Sequence, residues 1–142
     1  MKTRKAVGAV VLQDNKYLLV HKVKSIDTKS DINGYWDFPK GGVCELDKDI
    51  EAAILRELRE ETGSNNYNII NRFDKKINFT FPEGHRYDKQ ETVMFYVEYL
   101  GNRRELRSQD EEINKVMFFS KAEVMNILKL EETQKFLNEV IW

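Results

Sequence analysis

The chain has 142 residues, of which 41% are apolar and 33% charged, with a net charge of −1. That length suits one domain, residues 1–142, with a core of its own, and the near-neutral balance excludes a chain-wide field that would draw in nucleic acid or an acidic membrane, so a polyanionic ligand must be met by local Lys and Arg. A single cysteine, Cys44, excludes an internal disulfide and fits a reducing compartment, so cytoplasmic is the default location; it reads as a small, partly buried filler.

The first residues are basic and then apolar, as in a signal peptide, but the apolar run is short, carries Gly8 and passes straight into a charged segment, which predicts a strand. No stretch is long enough to span a membrane. Ala6–Leu12 and Lys16–Val23 are β-branched, apolar runs on either side of Gln13-Asp14-Asn15, a hairpin expected at the centre of a sheet. Lys24–Asn33 is a polar loop. In Tyr35–Phe38, Trp36 and Phe38 alternate as in a short strand, with Trp36 expected in the core. Pro39 then fixes the backbone, and Gly41 and Gly42 let the main chain approach a metal or a phosphate closely.

Between Asp49 and Thr62 there is neither Pro nor Gly, and Ala, Leu, Glu and Arg dominate. Asp47 or Asp49 is placed to cap the first turn and Gly63 to stop the last, so a helix is predicted here. At roughly 100° per residue, Ile50, Ala53, Ile54 and Leu58 share an apolar arc. Glu57 and Glu61 project inside that arc and Glu60 at its edge, so the buried face turns acidic in its last turns. The spacing i, i+3, i+4 makes these three carboxylates neighbours. Like charges held close and partly buried require a cation or protons, and carboxylate oxygens suit Mg²⁺ or Mn²⁺, with substrate phosphates as further ligands.

Tyr67–Arg72 and Lys75–Phe81 alternate as strands, closed by Pro82-Glu83-Gly84. The loop 84–90 gathers His85, Arg86, Tyr87 and Lys89, cations for a phosphate chain and a ring to stack on a base. Glu91–Leu100 is a strand apolar on both faces and therefore expected near the centre. Gly101–Asp110 is charged and loop-like. The acidic pair Glu111-Glu112 leads into a strand ending at Ser120, whose spacing to Glu123 is that of a capping box for a helix through Leu128. Glu131–Trp142 reads as a second helix with Phe136, Leu137, Val140 and Ile141 as its packing stripe. Strands interrupted by one mid-chain helix and ended by helices indicate an α/β layered domain with a mixed sheet.

Gly42, Arg56-Glu57-Leu58, Glu60-Glu61 and Gly63 match, without gaps, the pattern G-x5-E-x7-R-E-U-x-E-E-x-G-U, in which U is a bulky aliphatic residue. This segment, residues 42–64, resembles the Nudix box. Two positions depart from it: Lys48 replaces the first Glu, with Glu45, Asp47 and Asp49 around it to take over that acid's work, and Ser64 replaces the last aliphatic residue. The resemblance implies an α/β/α sandwich and hydrolysis of a nucleoside diphosphate linked to another moiety. By position it implies that Arg56 orients Glu57 through a bidentate pair. Glu57, Glu60, Glu61 and the Gly41 carbonyl would hold Mg²⁺ or Mn²⁺, with Glu112, backed by Glu111, as a further ligand. Either Glu60 or Glu112 would be the base.

Lys40, Arg86 and Lys89 are the expected phosphate contacts and Tyr87 the base contact. The wording W-x-F-P-K-G-G resembles the branch that hydrolyses diadenosine tetraphosphate and, with Gln in place of Lys40, the RNA 5′-pyrophosphohydrolases. A dinucleoside polyphosphate is the first expectation and an RNA 5′ end the second, ahead of nucleoside triphosphates, ADP-ribose or diphosphoinositols. A nucleotide-binding regulator without turnover is the competing class, encouraged by Lys48. No membrane and no obligate protein partner is expected.

Overall fold

A computed structural model of the chain describes residues 2–23 and 34–140. The polar loop expected at Lys24–Asn33, and Ile141 and Trp142 of the last helix, lie outside the described residues.

The first hairpin sets the frame. β1 (Thr3–Gln13) and β2 (Lys16–Lys22) run antiparallel and meet at Leu12↔Tyr17 and Gln13↔Lys16. Between them Asp14 and Asn15 adopt φ of 52° and 63°, the left-handed pair that a two-residue hairpin turn demands and that short polar side chains tolerate. Beyond the turn the two strands part. β1 pairs antiparallel with β4 (Lys40–Gly42) on one edge and parallel with β6 (Lys89–Tyr99) on the other, from Thr3↔Lys89 to Leu12↔Glu98. β2 takes β3 (Tyr35–Asp37) on one side and β7 (Ile113–Phe119) on the other. β5 (Tyr67–Thr80) closes the far edge against β6, completing a mixed sheet of seven strands.

Side-chain alternation along these strands feeds two cores. Val7, Ala9 and Val11 of β1, with Leu18 of β2 and Phe95 of β6, meet Ala53, Ile54 and Leu58 of α1 (Ile50–Thr62). Val10, Leu19 and Met94, one residue out of phase, meet Val124 of α2 (Lys121–Ile127) and Phe136 and Leu137 of α3 (Glu131–Val140). The expected α/β/α sandwich is thus formed because each central strand is apolar on both faces. Asp49, rather than Asp47, caps α1, accepting from Ala52 N at 2.7 Å. The capping box of α2 is present, with the Ser120 hydroxyl accepting from Glu123 N and the Glu123 carboxylate from Ser120 N.

Three local expectations are corrected. Tyr67–Arg72 and Lys75–Phe81 are one strand, since β5 stays paired with β6 while register shifts at Ile69/Asn71 and Arg72/Lys76 absorb the polar stretch between them. Cys44 is exposed, because it sits in the turn before α1, where its backbone N donates to the Asp47 carboxylate. Gly101–Asp110 contains a 3-10 turn at Arg103–Glu105. Trp36 is half-buried and packs edge-on to Phe119 at 4.9 Å, as expected of a core-facing strand aromatic.

That 3-10 turn begins a strap over the C-terminal end of α1. Gly63 ends the helix at φ 77°, and a Cβ there would run into the Arg107 carbonyl, so only glycine suits both the left-handed turn and the close approach. Arg107 N donates to Thr62 O at 2.8 Å and Gln109 N to Glu60 O at 2.9 Å, satisfying carbonyls the helix leaves open. Ser64, buried where the family pattern has an aliphatic side chain, donates its hydroxyl to Glu105, which also accepts from Asn66 Nδ2 at 2.9 Å and Tyr99 OH at 2.6 Å. The loss of an apolar contact at position 64 is therefore offset by a polar hub on Glu105, which is itself exposed. The strap continues into Asp110 and Glu112 and so delivers both to the end of α1.

Candidate active site

β4 brings Gly41 alongside α1 so closely that a Cβ at Gly41 would fall on the Glu57 carboxylate. Glycine is required here for approach rather than for an unusual backbone angle. Glu57 and Glu61 are 8% and 4% exposed, and Lys40 N donates to Glu61 Oε1 at 3.2 Å. Burial pushes the Glu61 carboxyl up to about 8, with the charges of Glu57 and Asp110 adding to it and Lys22 opposing. Burial likewise raises Glu57, against the hydrogen bond and charge of Arg56. Glu60, whose side chain is 45% exposed, stands at the mouth. These three carboxylates and Glu112 line one cleft of about 560 Å³ together with Gly41 and Gly42.

Arg56 lies beneath the acids and its bonding corrects an expectation. Its bidentate pair is with Asp47, Nε to Oδ1 at 2.8 Å and Nη2 to Oδ2 at 2.9 Å. Glu57 receives one bond, from Nη1 at 2.9 Å, and Nη2 also donates to the Gly42 carbonyl at 2.9 Å. Glu57 has its other flank against Gly41, so the fork turns to the carboxylate that reaches it edge-on. Hydrogen bonds from Arg56 hold the Asp47 carboxyl down to about 2. Lys48 is exposed, and the acid one residue earlier, Asp47, is the one that holds Arg56. Replacing Asp47 by Asn is expected to lower the melting temperature and divalent-ion affinity, and adding Lys48→Glu to that variant to restore both; thermal shift with and without Mg²⁺ reads the two effects.

The cations are distributed unexpectedly. Lys40 lines the cleft yet is 8% exposed, with Nζ donating to Thr133 Oγ1 at 2.9 Å and paired with Asp37 at 3.2 Å. Burial lowers its pKa, against Asp37. Lys22 reaches the same Asp37 carboxylate at 3.7 Å. Burial works against its charge too, but Asp37 and Glu61 leave its pKa raised. Arg86, Tyr87 and Lys89 are not among the cleft's lining residues. They belong to the connection from β5 into the start of β6, where Arg86 lies over the Tyr87 ring at 5.5 Å. Sequence reasoning missed Asp110, Lys22, Asp37 and Arg4, all of which line the cleft. Asp110 could have been found as the first acid of the run Asp110-Glu111-Glu112, and it accepts from Glu112 N at 2.9 Å.

Among the described residues no three His, Cys, Asp or Glu side chains close on a single point as a protein-only metal cage would. The donor set nevertheless fits a hard divalent ion. Only oxygens are offered, two carboxylates are buried in excess of the nearby positive charge, and Mg²⁺ ordinarily completes its shell with water and substrate phosphate.

A family model, the NUDIX domain, matches residues 2–140. The chain belongs to the Nudix family. Its similarity to an RNA pyrophosphohydrolase of Bartonella bacilliformis is 30% identity over 112 residues, 72% of this chain and 65% of that protein. The chain spans about half to two thirds of the length of the curated relatives it matches. Among solved structures, a NUDIX hydrolase from Nitrosomonas europaea superposes with a TM-score of 0.71 at 20% identity over 97% of this chain and 88% of that one. An Ap4A hydrolase from C. elegans, solved as a binary complex, gives 0.68 at 18% over 96% and 93%. At these identities the structures establish the shared fold.

In this Nudix chain the Glu61 shift has a definite sign. A carboxyl at about 8 when folded and 4.5 when unfolded binds its proton more tightly in the folded state, so the stabilisation is complete below pH 4.5 and is lost as pH rises through 8. The melting temperature of chelator-treated protein is expected to fall between pH 5 and pH 8 and then level off. Adding Mg²⁺ at pH 7 should displace close to one proton per chain. Calorimetry in two buffers of different ionisation enthalpy counts that proton.

Proposed function

We propose that this Nudix chain hydrolyses a pyrophosphate bond in a nucleotide-linked substrate with the help of Mg²⁺ or Mn²⁺. The observation that carries this reading is that three α1 carboxylates and the Gly41-Gly42 turn line one cleft, with Gly41 directly against the Glu57 carboxylate. Glu57, Glu60, Glu61, Glu112 and the Gly41 carbonyl would hold the ion. When bound, it supplies charge neutralisation of the diphosphate and polarisation of the P–O bond to be broken.

The chain's own residues do the rest. Arg56, fixed by Asp47, orients Glu57 and Glu60. Glu60 and Glu112, both less buried than Glu57 and Glu61, are the proposed bases that take the proton of the attacking water. Lys22 gives the cleft a cation beside the acids, and Lys40 ties the glycine turn to α3 through Thr133 while remaining a proposed phosphate contact. Arg86 and Lys89 stand outside the lining and would meet the distal part of a long polyphosphate or an RNA chain.

An RNA 5′ end is the first proposed substrate, supported by the names of the curated relatives. A dinucleoside polyphosphate is the second, supported by the W-x-F-P-K-G-G wording and by the Ap4A hydrolase among the structural neighbours. The regulator reading rests on Lys48, and the pairing of Asp47 with Arg56 favours an intact site over it. No described helix is long and apolar enough to cross a membrane. The lone Cys44 supports a cytoplasmic location.

The test is release of phosphate or nucleotide from triphosphorylated RNA, dinucleoside polyphosphates, nucleoside triphosphates, ADP-ribose and diphosphoinositols, with Mg²⁺ and then Mn²⁺. Turnover of the first or second class is expected. Tight nucleotide binding with no turnover on any of them would overturn the hydrolase reading.

A further inference from the structure

Besides its acids the cleft holds a second set of charges, gathered on one carboxylate. Asp37, at the end of β3 and 2% exposed, has two lysines on the same oxygen, with Lys40 Nζ 3.2 Å from Oδ2 and Lys22 Nζ 3.7 Å from it. The other oxygen, Oδ1, accepts from Phe38 N at 2.8 Å. One negative charge thus faces two positive ones.

The two lysines are held differently. Lys40 sits on β4 opposite Gly8 of β1, and its stem crosses that glycine so closely that a Cβ there would come within 2.8 Å of Lys40 Cγ. Threaded inward in this way, its ammonium lies 5.2 Å from the centre of the Phe79 ring and donates to the fully buried Thr133 of α3 at 2.9 Å. A carboxylate, a hydroxyl and an aromatic face satisfy it, and its side chain is 6% exposed. Lys22 comes from β2, where its cross-strand partner is Tyr35, two residues before Asp37 on the same face of the sheet. At 3.7 Å it is beyond hydrogen-bond reach of Asp37. Its side chain is 18% exposed, and it lines the cleft with Tyr35 and Glu112.

We infer that Lys40 is a positioning residue, the internal counter-ion of Asp37, which holds that carboxylate from within and so leaves Lys22 free to take a phosphate of the substrate. Without Lys40, Asp37 would draw Lys22 onto itself, since a buried carboxylate left unpaired is costly. The lysine beside the glycine turn therefore acts on substrate through another residue. Through Thr133, α3 takes part in setting a cleft that none of its own residues line. This inference deepens the pyrophosphohydrolase reading and rests on it.

The test is calorimetric titration of methylenediphosphonate, a phosphate pair that cannot be hydrolysed, with Mg²⁺ present. Lys40→Met, which keeps the stem and removes the charge, is expected to weaken binding about tenfold, the order of one hydrogen bond to a charged group. Adding Asp37→Asn should return affinity to within about threefold of wild type, because the amide no longer competes for Lys22. Lys22→Met should also weaken binding about tenfold, and Asp37→Asn should not rescue it. Thr133→Val, which loosens Lys40 without removing it, should cost about threefold and carries the test if Lys40→Met does not fold.

In turnover of triphosphorylated RNA the loss in Lys40→Met should fall more on KM than on kcat and be recovered in the double variant. A merely structural role for these buried charges would be worsened by the second substitution. Affinity that stays low in the double variant would put Lys40 itself on the phosphate, and unchanged affinity in Lys40→Met or, where that variant does not fold, in Thr133→Val would show that Lys22 needs no such arrangement. Either result overturns the inference and leaves the hydrolase reading standing. Failure of wild type to bind methylenediphosphonate would overturn both.

Discussion

Glu61→Gln is expected to abolish turnover while leaving the fold in place. In the ion-free protein Glu61 is held well above its ordinary pKa by burial, so near pH 6 it carries a proton and glutamine is close to its isostere. Circular dichroism and melting temperature in chelator at that pH should match wild type. What glutamine cannot do is give up the proton and become an anion. If the divalent ion contributes several kcal/mol to the barrier, losing this ligand costs on the order of a thousandfold in rate at tenfold per 1.36 kcal/mol. Mn²⁺ affinity should fall with it. Wild-type rates in this variant would remove the helix from the mechanism.

Arg56→Ala is expected to act on stability and activity together. The guanidinium donates to Asp47, Glu57, Glu60 and the Gly42 carbonyl, and its side chain is only 20% exposed. Removing it leaves several acids facing one another without their cation and frees the glycine turn from the helix. Breaking a largely buried ion pair by deleting one partner costs about 3 kcal/mol, which for a domain of this size lowers the melting temperature by roughly 10 °C. Activity should fall beyond the fraction unfolded, because Glu57 loses the bond that orients it and opposes its protonation. Arg56→Lys, which keeps charge but not the fork, should recover part of the stability and little of the rate. A melting temperature unchanged in Arg56→Ala would show that the acids find other partners.

Within α1 the site was legible because a helix converts spacing into proximity. Glu57, Glu60 and Glu61 needed no knowledge of the rest of the chain to be placed side by side, and the apolar arc told which of them would be buried. The central strands were legible for a similar reason, with Glu91–Leu100 apolar on both faces and found with α1 on one face and α2 and α3 on the other. What sequence could not show was set by chain paths between elements. Lys40 looked like a free cation beside two glycines, but pairing of β4 with β1 turns it inward to Asp37 and Thr133. Asp110 faces the cleft because the strap hangs from helix carbonyls, a route with no periodicity to read. The fork of Arg56 went to Asp47 for the same reason, since the turn before α1, rather than the helix, decides which carboxylate arrives edge-on.

The one-residue offset of that carboxylate bears on how such a site changes over time. With Asp47 on the guanidinium, the acid at 48 can be lost without a step in which the arginine is left alone. Drift at the box is then cheap where a neighbour on the same turn stands ready. It is costly at Gly41, where even a methyl group would push the Glu57 carboxylate out of its place.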